Sequence, residues 1–338
     1  MRRFGAVICV SGLLAAGAAA SMAAAVAQTA PALAPPLAAD CGGPGAPCTV
    51  PLGSYHIALP ERGAAAGTMP AFLYFHGAGR SGEMIFTLAD MTRVLTARGF
   101  AVIGPNGLER PDSRFGAGWY FRPESPARRD ELAFTREVLA DAAARFGIDR
   151  ARVTLSGFSI GGSLVWYLAC KDHTVAAAYA PVAGGFWRPH PTDCAGPVRL
   201  VHTHGWRDQT VPLEGRPLRN GEIYQGDVFE GFQRWRAENG CSRLRADDFD
   251  TSRRYWRRIH TSCDPGTALE FWLHPGGHET PTGEWAEMFA DWFIALPPGA
   301  PAAGDRAVPT AAAAGAAGSS AGEAMPEPAA SGANPLPQ

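Results

Sequence analysis

The stretch Arg152-Val153-Thr154-Leu155-Ser156-Gly157-Phe158-Ser159-Ile160-Gly161-Gly162 decides the fold. A β-branched, apolar strand run breaks at Gly157-Phe158-Ser159-Ile160-Gly161, and Leu164-Val165-Trp166-Tyr167-Leu168 continues with helical character. A serine hydroxyl becomes a nucleophile only when a base takes its proton and its oxygen is held exposed. A sharp strand-to-helix turn does the holding, and it needs glycine on both sides because a Cβ there would strike the tight backbone. The helix that follows aims its N-terminal amides at the oxygen that becomes negative in acyl transfer. In isolation G-x-S-x-G is common; between a strand and a helix it is specific.

Outward from the elbow, short apolar runs alternate with amphipathic stretches. Phe72–Phe75, Phe100–Ile103, Arg152–Ser156, Val175–Pro181, Val198–His202 and Leu269–Leu273 read as strands, and Ser54–Leu59 as an antiparallel edge strand. Met84–Arg98, Glu131–Phe146, Phe229–Asn239 and Glu284–Leu296 read as helices. Strands alternating with helices predict an α/β fold: a mostly parallel central sheet with helices on both faces, in a single domain.

In such sheets the chemistry collects beyond the carboxyl ends of the strands. Val198–His202 runs into Thr203-His204-Gly205-Trp206-Arg207-Asp208, where a carboxylate can orient an imidazole; Asp193 and Asp227 are the alternatives. Leu269–Leu273 runs into His274-Pro275-Gly276-Gly277-His278, and the paired glycines let His278 swing towards the serine, with His274 as its competitor. The chain order Ser159, Asp208, His278 is the one an elbow serine uses in this kind of sheet. The segment His76-Gly77-Ala78-Gly79 follows the Phe72–Phe75 strand and suits an oxyanion hole, with the Ala78 and Ile160 amides as donors. Gly79, Trp187 and Trp206 are expected to border the substrate, with Trp119 a further aromatic of this kind. His76 is expected to buttress the oxyanion loop, His204 to shape the Asp208 turn, and no residues to hold a metal.

The ends of the chain differ from this middle. Met1-Arg2-Arg3, the apolar run Val7–Ala20 and the small-x-small site Ala25-Val26-Ala27 predict a signal peptide at 1–27, with the paired arginines raising twin-arginine export as an alternative. An Ala/Pro-rich linker is expected at 28–49, a catalytic domain at 50–297 and a disordered Ala/Pro/Gly-rich tail at 298–338. The product is expected to be secreted or periplasmic, without a membrane span. Beyond Cys9 in the leader stand Cys41, Cys48, Cys170, Cys194, Cys241 and Cys263, an even number that behind a leader favours disulfides. Among the fifteen pairings possible, nearest-neighbour pairing closes the shortest loops. The formal net charge is −2, and the arginines between 234 and 258 are interleaved with Glu238, Asp247, Asp248 and Asp250. That pattern is a solvated, partly ion-paired face and argues against a nucleic-acid partner.

Taken together, Leu73–Gly79, Arg152–Gly162, Leu168-Ala169-Cys170 followed by Val175–Gly184, His202–Pro212 and Pro275-Gly276-Gly277-His278 resemble the polyhydroxybutyrate depolymerase-like esterases. These are secreted α/β-hydrolases allied to the feruloyl and acetylxylan esterases of the first carbohydrate-esterase family. The resemblance runs from about Gly53 to Leu296. It implies an α/β-hydrolase fold, Ser159 as nucleophile with Asp208 and His278, and Ala78 with Ile160 as oxyanion donors. It implies a cofactor-free serine esterase acting on hydroxyalkanoate oligomers or similar esters. A feruloyl/acetylxylan esterase, or an acyltransferase using the same three side chains, is the alternative. The chain departs from the family at Thr280, where the final motif often carries Trp. Its tail cannot fold into a polymer-binding module, so small or oligomeric esters are the expected substrates.

Overall fold

The computed structural model describes residues 40–61, 67–110, 115–122 and 128–300. The expected leader, the linker up to residue 39 and the tail from residue 301 lie outside the described residues. In chain order the elements are β1 (Cys48–Val50), β2 (Gly53–Ala58), β3 (Met69–Phe75), α1 (Met84–Thr87), α2 (Ala89–Ala97), β4 (Ala101–Pro105) and α3 (Glu131–Phe146). They continue with β5 (Ile148–Phe158), α4 (Ile160–Lys171), β6 (Ala178–Val182), β7 (Trp187–Arg188), β8 (Arg199–Gly205), β9 (Arg216–Leu218) and β10 (Ile223–Gln225). The last are α5 (Val228–Glu238), β11 (Asp248–Asp250), β12 (Trp256–His260), β13 (Ala268–His274) and α6 (Gly283–Ile294).

A ten-stranded sheet runs in the order β1-β2-β4-β3-β5-β6-β8-β13-β12-β11. The six central strands, β4 to β13, are parallel, so their carboxyl ends share one rim. Side chains alternate between the faces as the strand period of two demands. On β3, Ala71, Leu73 and Phe75 enter the core under α3, α4 and α5, while Phe72 and Tyr74 enter the core under α2 and α6. Burying both faces explains why these strands read as continuous apolar runs. Among the described residues, no helix is long and apolar enough to cross a membrane.

Local chemistry sets the element ends. The Asp130 carboxylate accepts the Leu132 and Ala133 amides at the start of α3, and Gly147, at φ 71°, closes it by donating to Ala143 O. The single helix expected over Met84–Arg98 is two, broken at Leu88. Thr92 Oγ1 takes the Ile85 carbonyl at 2.5 Å, a local bond that competes with helix continuation and leaves Ile85 buried at the bend. The Ser54–Leu59 strand is antiparallel as expected, but it is not the edge: β1 pairs outside it.

Residues 40–49, assigned to the linker by composition, are tied down by the Cys41–Cys48 disulfide and by β1. Two further bridges, Cys170–Cys194 and Cys241–Cys263, complete the nearest-neighbour pattern. At the other end, buried Arg199 donates to Gly266 O, Pro297 O and Gly299 O, and Gly299 N donates to Ala151 O. The chain is therefore anchored past residue 297, slightly beyond the expected boundary. The small β7-β10-β9 sheet and the antiparallel β11–β12 pair were not anticipated. The arginine-rich face carries ion pairs from Arg257 to Glu270 (2.8 Å) and from Arg243 to Asp247 (3.1 Å).

Candidate active site

Ser159 stands between β5 and α4 with φ 58° and ψ −121°. A non-glycine residue at positive φ costs on the order of 1–3 kcal/mol and persists only where its surroundings enforce it. Here Ser159 N donates to Val182 O at 3.0 Å and Ser159 O accepts from Ser163 N at 2.9 Å, locking the turn from both sides. The glycines are needed for close approach. A Cβ on Gly157 would lie 2.7 Å from Gly161 O and 2.8 Å from Phe75 O, and one on Gly161 would strike Phe75 O and His76 O.

Two rim loops zip together to bring Asp208 and His278 face to face across 70 residues. Trp206 N donates to His274 O (2.7 Å), Arg207 N to Gly276 O (3.0 Å) and Arg207 Nε to Pro275 O (2.7 Å). Gly205 allows this, since a Cβ there would strike Gly276 O and Gly277 O. Asp208 Oδ1 accepts the Thr210 and Val211 amides at 2.8 Å each, and Oδ2 accepts His278 Nδ1 at 2.7 Å. A carboxylate only accepts, so Nδ1 carries a proton, and in the neutral ring Nε2 is the nitrogen left to accept. Burial raises the Asp208 carboxyl, but hydrogen bonds from His204, His278 and the Val211 amide outweigh it and hold the group well below the usual carboxylate range. The His278 ring packs 4.5 Å from that of Phe158, the residue before Ser159. No hydrogen bond joins His278 to the Ser159 hydroxyl among the described residues, and in unliganded sites such bonds are often long.

Behind Asp208 runs a buried chain of bonds whose proton positions follow from one fixed donor. Trp166 Nε1–H, which can only donate, reaches His202 Nδ1 at 3.2 Å. His202 Nε2–H therefore donates to His204 Nδ1 (3.0 Å). His204 Nε2–H in turn faces Val211 O (2.8 Å) and Asp208 Oδ2 (3.4 Å). In this chain each imidazole accepts at Nδ1 and donates at Nε2, and burial pushes His202 far down. His204 thus shapes the Asp208 turn as expected; His202 gave no sequence signal beyond its place on a strand.

The His76–Gly79 loop is braced from beneath. Gly107 N donates to His76 Nε2 at 2.9 Å, which leaves Nδ1 to donate to Gly77 O at 2.7 Å. Trp119 Nε1 donates to His76 O, and Gly79 N to Ala117 O. Among the described residues, the amides of Ala78 and Ile160 have no acceptor. Gly79, at φ 69° with Phe115 O in the space of a Cβ, is a turn residue committed to this brace. Trp119 is buried against Phe75 and His76 and belongs to the brace, not to a substrate surface.

Trp187 is half-buried. Its indole N–H points to Ser163 Oγ (3.4 Å), one helical turn below Ser159, and its ring meets Phe121 edge-on at 5.7 Å. Tyr167, one turn further, packs on Phe121 at 5.3 Å, so Ser159, Ser163 and Tyr167 mark one stripe of α4 leading to an aromatic surface. The i, i+4, i+8 spacing of these three was the signal available for Tyr167. Trp206 is 58% exposed on the rim. The competitors are occupied elsewhere: His274 Nδ1 accepts the Gly276 amide (3.2 Å), Asp227 caps α5, and the Asp193 carboxylate bonds Thr192.

No family model matches the chain. A feruloyl esterase B of Piromyces equi is 29% identical over 128 residues, 33% of this chain and 22% of that protein. A probable feruloyl esterase C of Aspergillus niger is 24% identical over 201 residues, 58% of this chain and 63% of that protein. The chain thus spans less than two thirds of the length of these curated relatives. Among solved structures, an acetyl xylan esterase from Aspergillus awamori superposes with a TM-score of 0.52 at 15% identity, covering 71% of this chain and 93% of that one. The fold is that of the α/β-hydrolases.

Proposed function

We propose that the protein is a serine ester hydrolase. The observation that carries the reading is the 2.7 Å bond between His278 Nδ1 and Asp208 Oδ2 on the rim where Ser159 occupies a strained strand-to-helix turn. In this reading His278 Nε2 takes the Ser159 proton as the hydroxyl attacks the ester carbonyl. The Ala78 and Ile160 amides receive the oxyanion, the alcohol leaves, and His278 then activates water to release the acid. Asp208 holds the imidazole in the required tautomer.

The names of the sequence relatives support ester hydrolysis. Hydroxyalkanoate oligomers or similar small esters are the leading substrate class. The same names favour feruloyl esters of polysaccharides as the second, and the aromatic surface of Phe121, Tyr167 and Trp187 is compatible with an aryl group. Three disulfides support maturation in an oxidising compartment, consistent with export. The test is covalent labelling of the purified protein by a fluorophosphonate with hydrolysis of a short p-nitrophenyl ester. Both are expected in the wild type, with labelling abolished in Ser159→Ala and hydrolysis lost in His278→Ala. Labelling that persists in Ser159→Ala overturns the assignment.

A further inference from the structure

Arg110 lies beside the elbow and, among the described residues, has no carboxylate partner. Leu108 and Gly118 bridge as an antiparallel pair, and with the Gly107, Ala117 and Trp119 bonds described above they wrap the Ala78 loop. Inside this wrap Arg110 Nε donates to Gly116 O at 3.1 Å. A Cβ on Gly118 would lie 2.6 Å from Arg110 Nε and Cζ and 2.8 Å from Ile160 Cδ1. The guanidinium and the side chain of the residue after Ser159 therefore meet over the same bare backbone.

A guanidinium carries five N–H donors. Among the described residues, Arg110 uses one, and it makes no ion pair even with adjacent Glu109. A second cation, on the turn between β9 and β10, is close enough for its charge to act on Arg110. Arg219 makes no ion pair among the described residues and holds φ 49°, followed by Asn220 at φ 55°. Two successive non-glycine residues in the left-handed region are strained, a feature that clusters at ligand sites. Burial first, and then the Arg219 charge, work against the protonated form of Arg110, with Tyr120 and Glu109 partly offsetting them. An anion bound at the Arg110 guanidinium relieves that opposition. A carboxylate is the anion an ester substrate can carry, and it matches the guanidinium fork with two parallel bonds.

We propose that Arg110, assisted by Arg219, forms an anion subsite beside Ser159, and that the protein acts preferentially on esters bearing a free carboxylate a few bonds from the scissile carbonyl. This rests on the serine-hydrolase reading above. The test compares kcat/KM for monomethyl adipate and for the acetate ester of 4-hydroxybutyrate with that for their uncharged counterparts, methyl hexanoate and butyl acetate. The first pair places the carboxylate on the acyl side, the second on the alcohol side.

One acid is expected to exceed its neutral counterpart by roughly ten- to a hundred-fold, the factor of a charge-assisted hydrogen bond. The ratio should shrink at high salt, collapse towards unity in Arg110→Met, fall partway in the surface variant Arg219→Met, and recover in part in Arg110→Lys. A wild-type ratio at or below unity in both pairs, or a ratio unchanged in Arg110→Met, overturns the subsite while leaving ester hydrolysis standing on the neutral arms. Absence of turnover on every arm, with no fluorophosphonate labelling, overturns both.

Discussion

Acidification should destabilise this protein through the histidine that props the Ala78 loop. His76 is fully buried, with Nδ1–H on Gly77 O and Nε2 accepting from Gly107 N, and the second of these bonds requires the neutral ring. Burial pushes its pKa from 6.5 down to about 4; the Gly77 carbonyl opposes the change, and the charges of Arg110 and Arg129 add to it. In the unfolded chain the ring takes a proton near pH 6.5, while the folded protein resists protonation to about pH 4. The unfolded state binds more protons in that window, so stability is full above pH 6.5 and falls as the pH drops towards 4. At 1.36 kcal/mol per pH unit, His76 alone accounts for about 2 kcal/mol lost by pH 5 and about 3 by pH 4.

The assay is equilibrium urea unfolding, followed by tryptophan fluorescence at pH 7 and pH 5, on the wild type and His76→Asn. The asparagine amide can still donate to Gly77 O but cannot titrate. Losing the acceptor for Gly107 N should leave it about 1–3 kcal/mol less stable at pH 7. His173, His190, His202, His260 and His274, all pushed down chiefly by burial, are common to both proteins and cancel in the difference. The stability gap is expected to narrow by about 2 kcal/mol between pH 7 and pH 5. A gap constant to within ~0.5 kcal/mol would refute the argument.

Three other outcomes follow from the geometry. His204→Phe keeps the shape but removes the second donor to Asp208 and orphans His202 Nε2–H; kcat should fall by roughly ten-fold with KM little changed, and steady-state kinetics showing an unaltered kcat counts against the buried chain. Gly161→Ala drives a methyl into Phe75 O and His76 O, so it should cost about 3 kcal/mol or more and abolish fluorophosphonate labelling; normal labelling and an unchanged melting temperature contradict the close packing. The Cys170→Ser, Cys194→Ser double variant opens a loop of 24-residue separation, and loop-closure entropy predicts a loss of about 3–4 kcal/mol in reversible unfolding; a loss under ~1 kcal/mol shows the loop is held by other contacts.

Much of the fold was legible because the deciding signals are local. The apolar run of β3, the helical span of α3 and the glycines around Ser159 each follow from covalent geometry and nearest neighbours, and the structure shows them where the pattern indicated. The break at Leu88 was hidden because it depends on Thr92 reaching back seven residues to Ile85 O. Strands β7, β9 and β10 are two or three residues long, too short to display a period, and exist only because they pair with one another.

The candidate site divides along the same line. The sequence put Ser159, Asp208 and His278 just beyond segments that read as strands, now β5, β8 and β13, since side chains that follow a parallel strand into a rim loop gather at that rim. Only the tertiary structure decided which nitrogen of His278 meets Asp208, that loops 205–208 and 274–278 are bonded backbone to backbone, and that Trp166, His202 and His204 fix the protons behind the carboxylate. It alone placed Arg110 against Ile160, 50 residues further along. These are contacts between segments that no local pattern connects: their geometry is set by how the sheet stacks its strands, and sequence spacing carries no record of that.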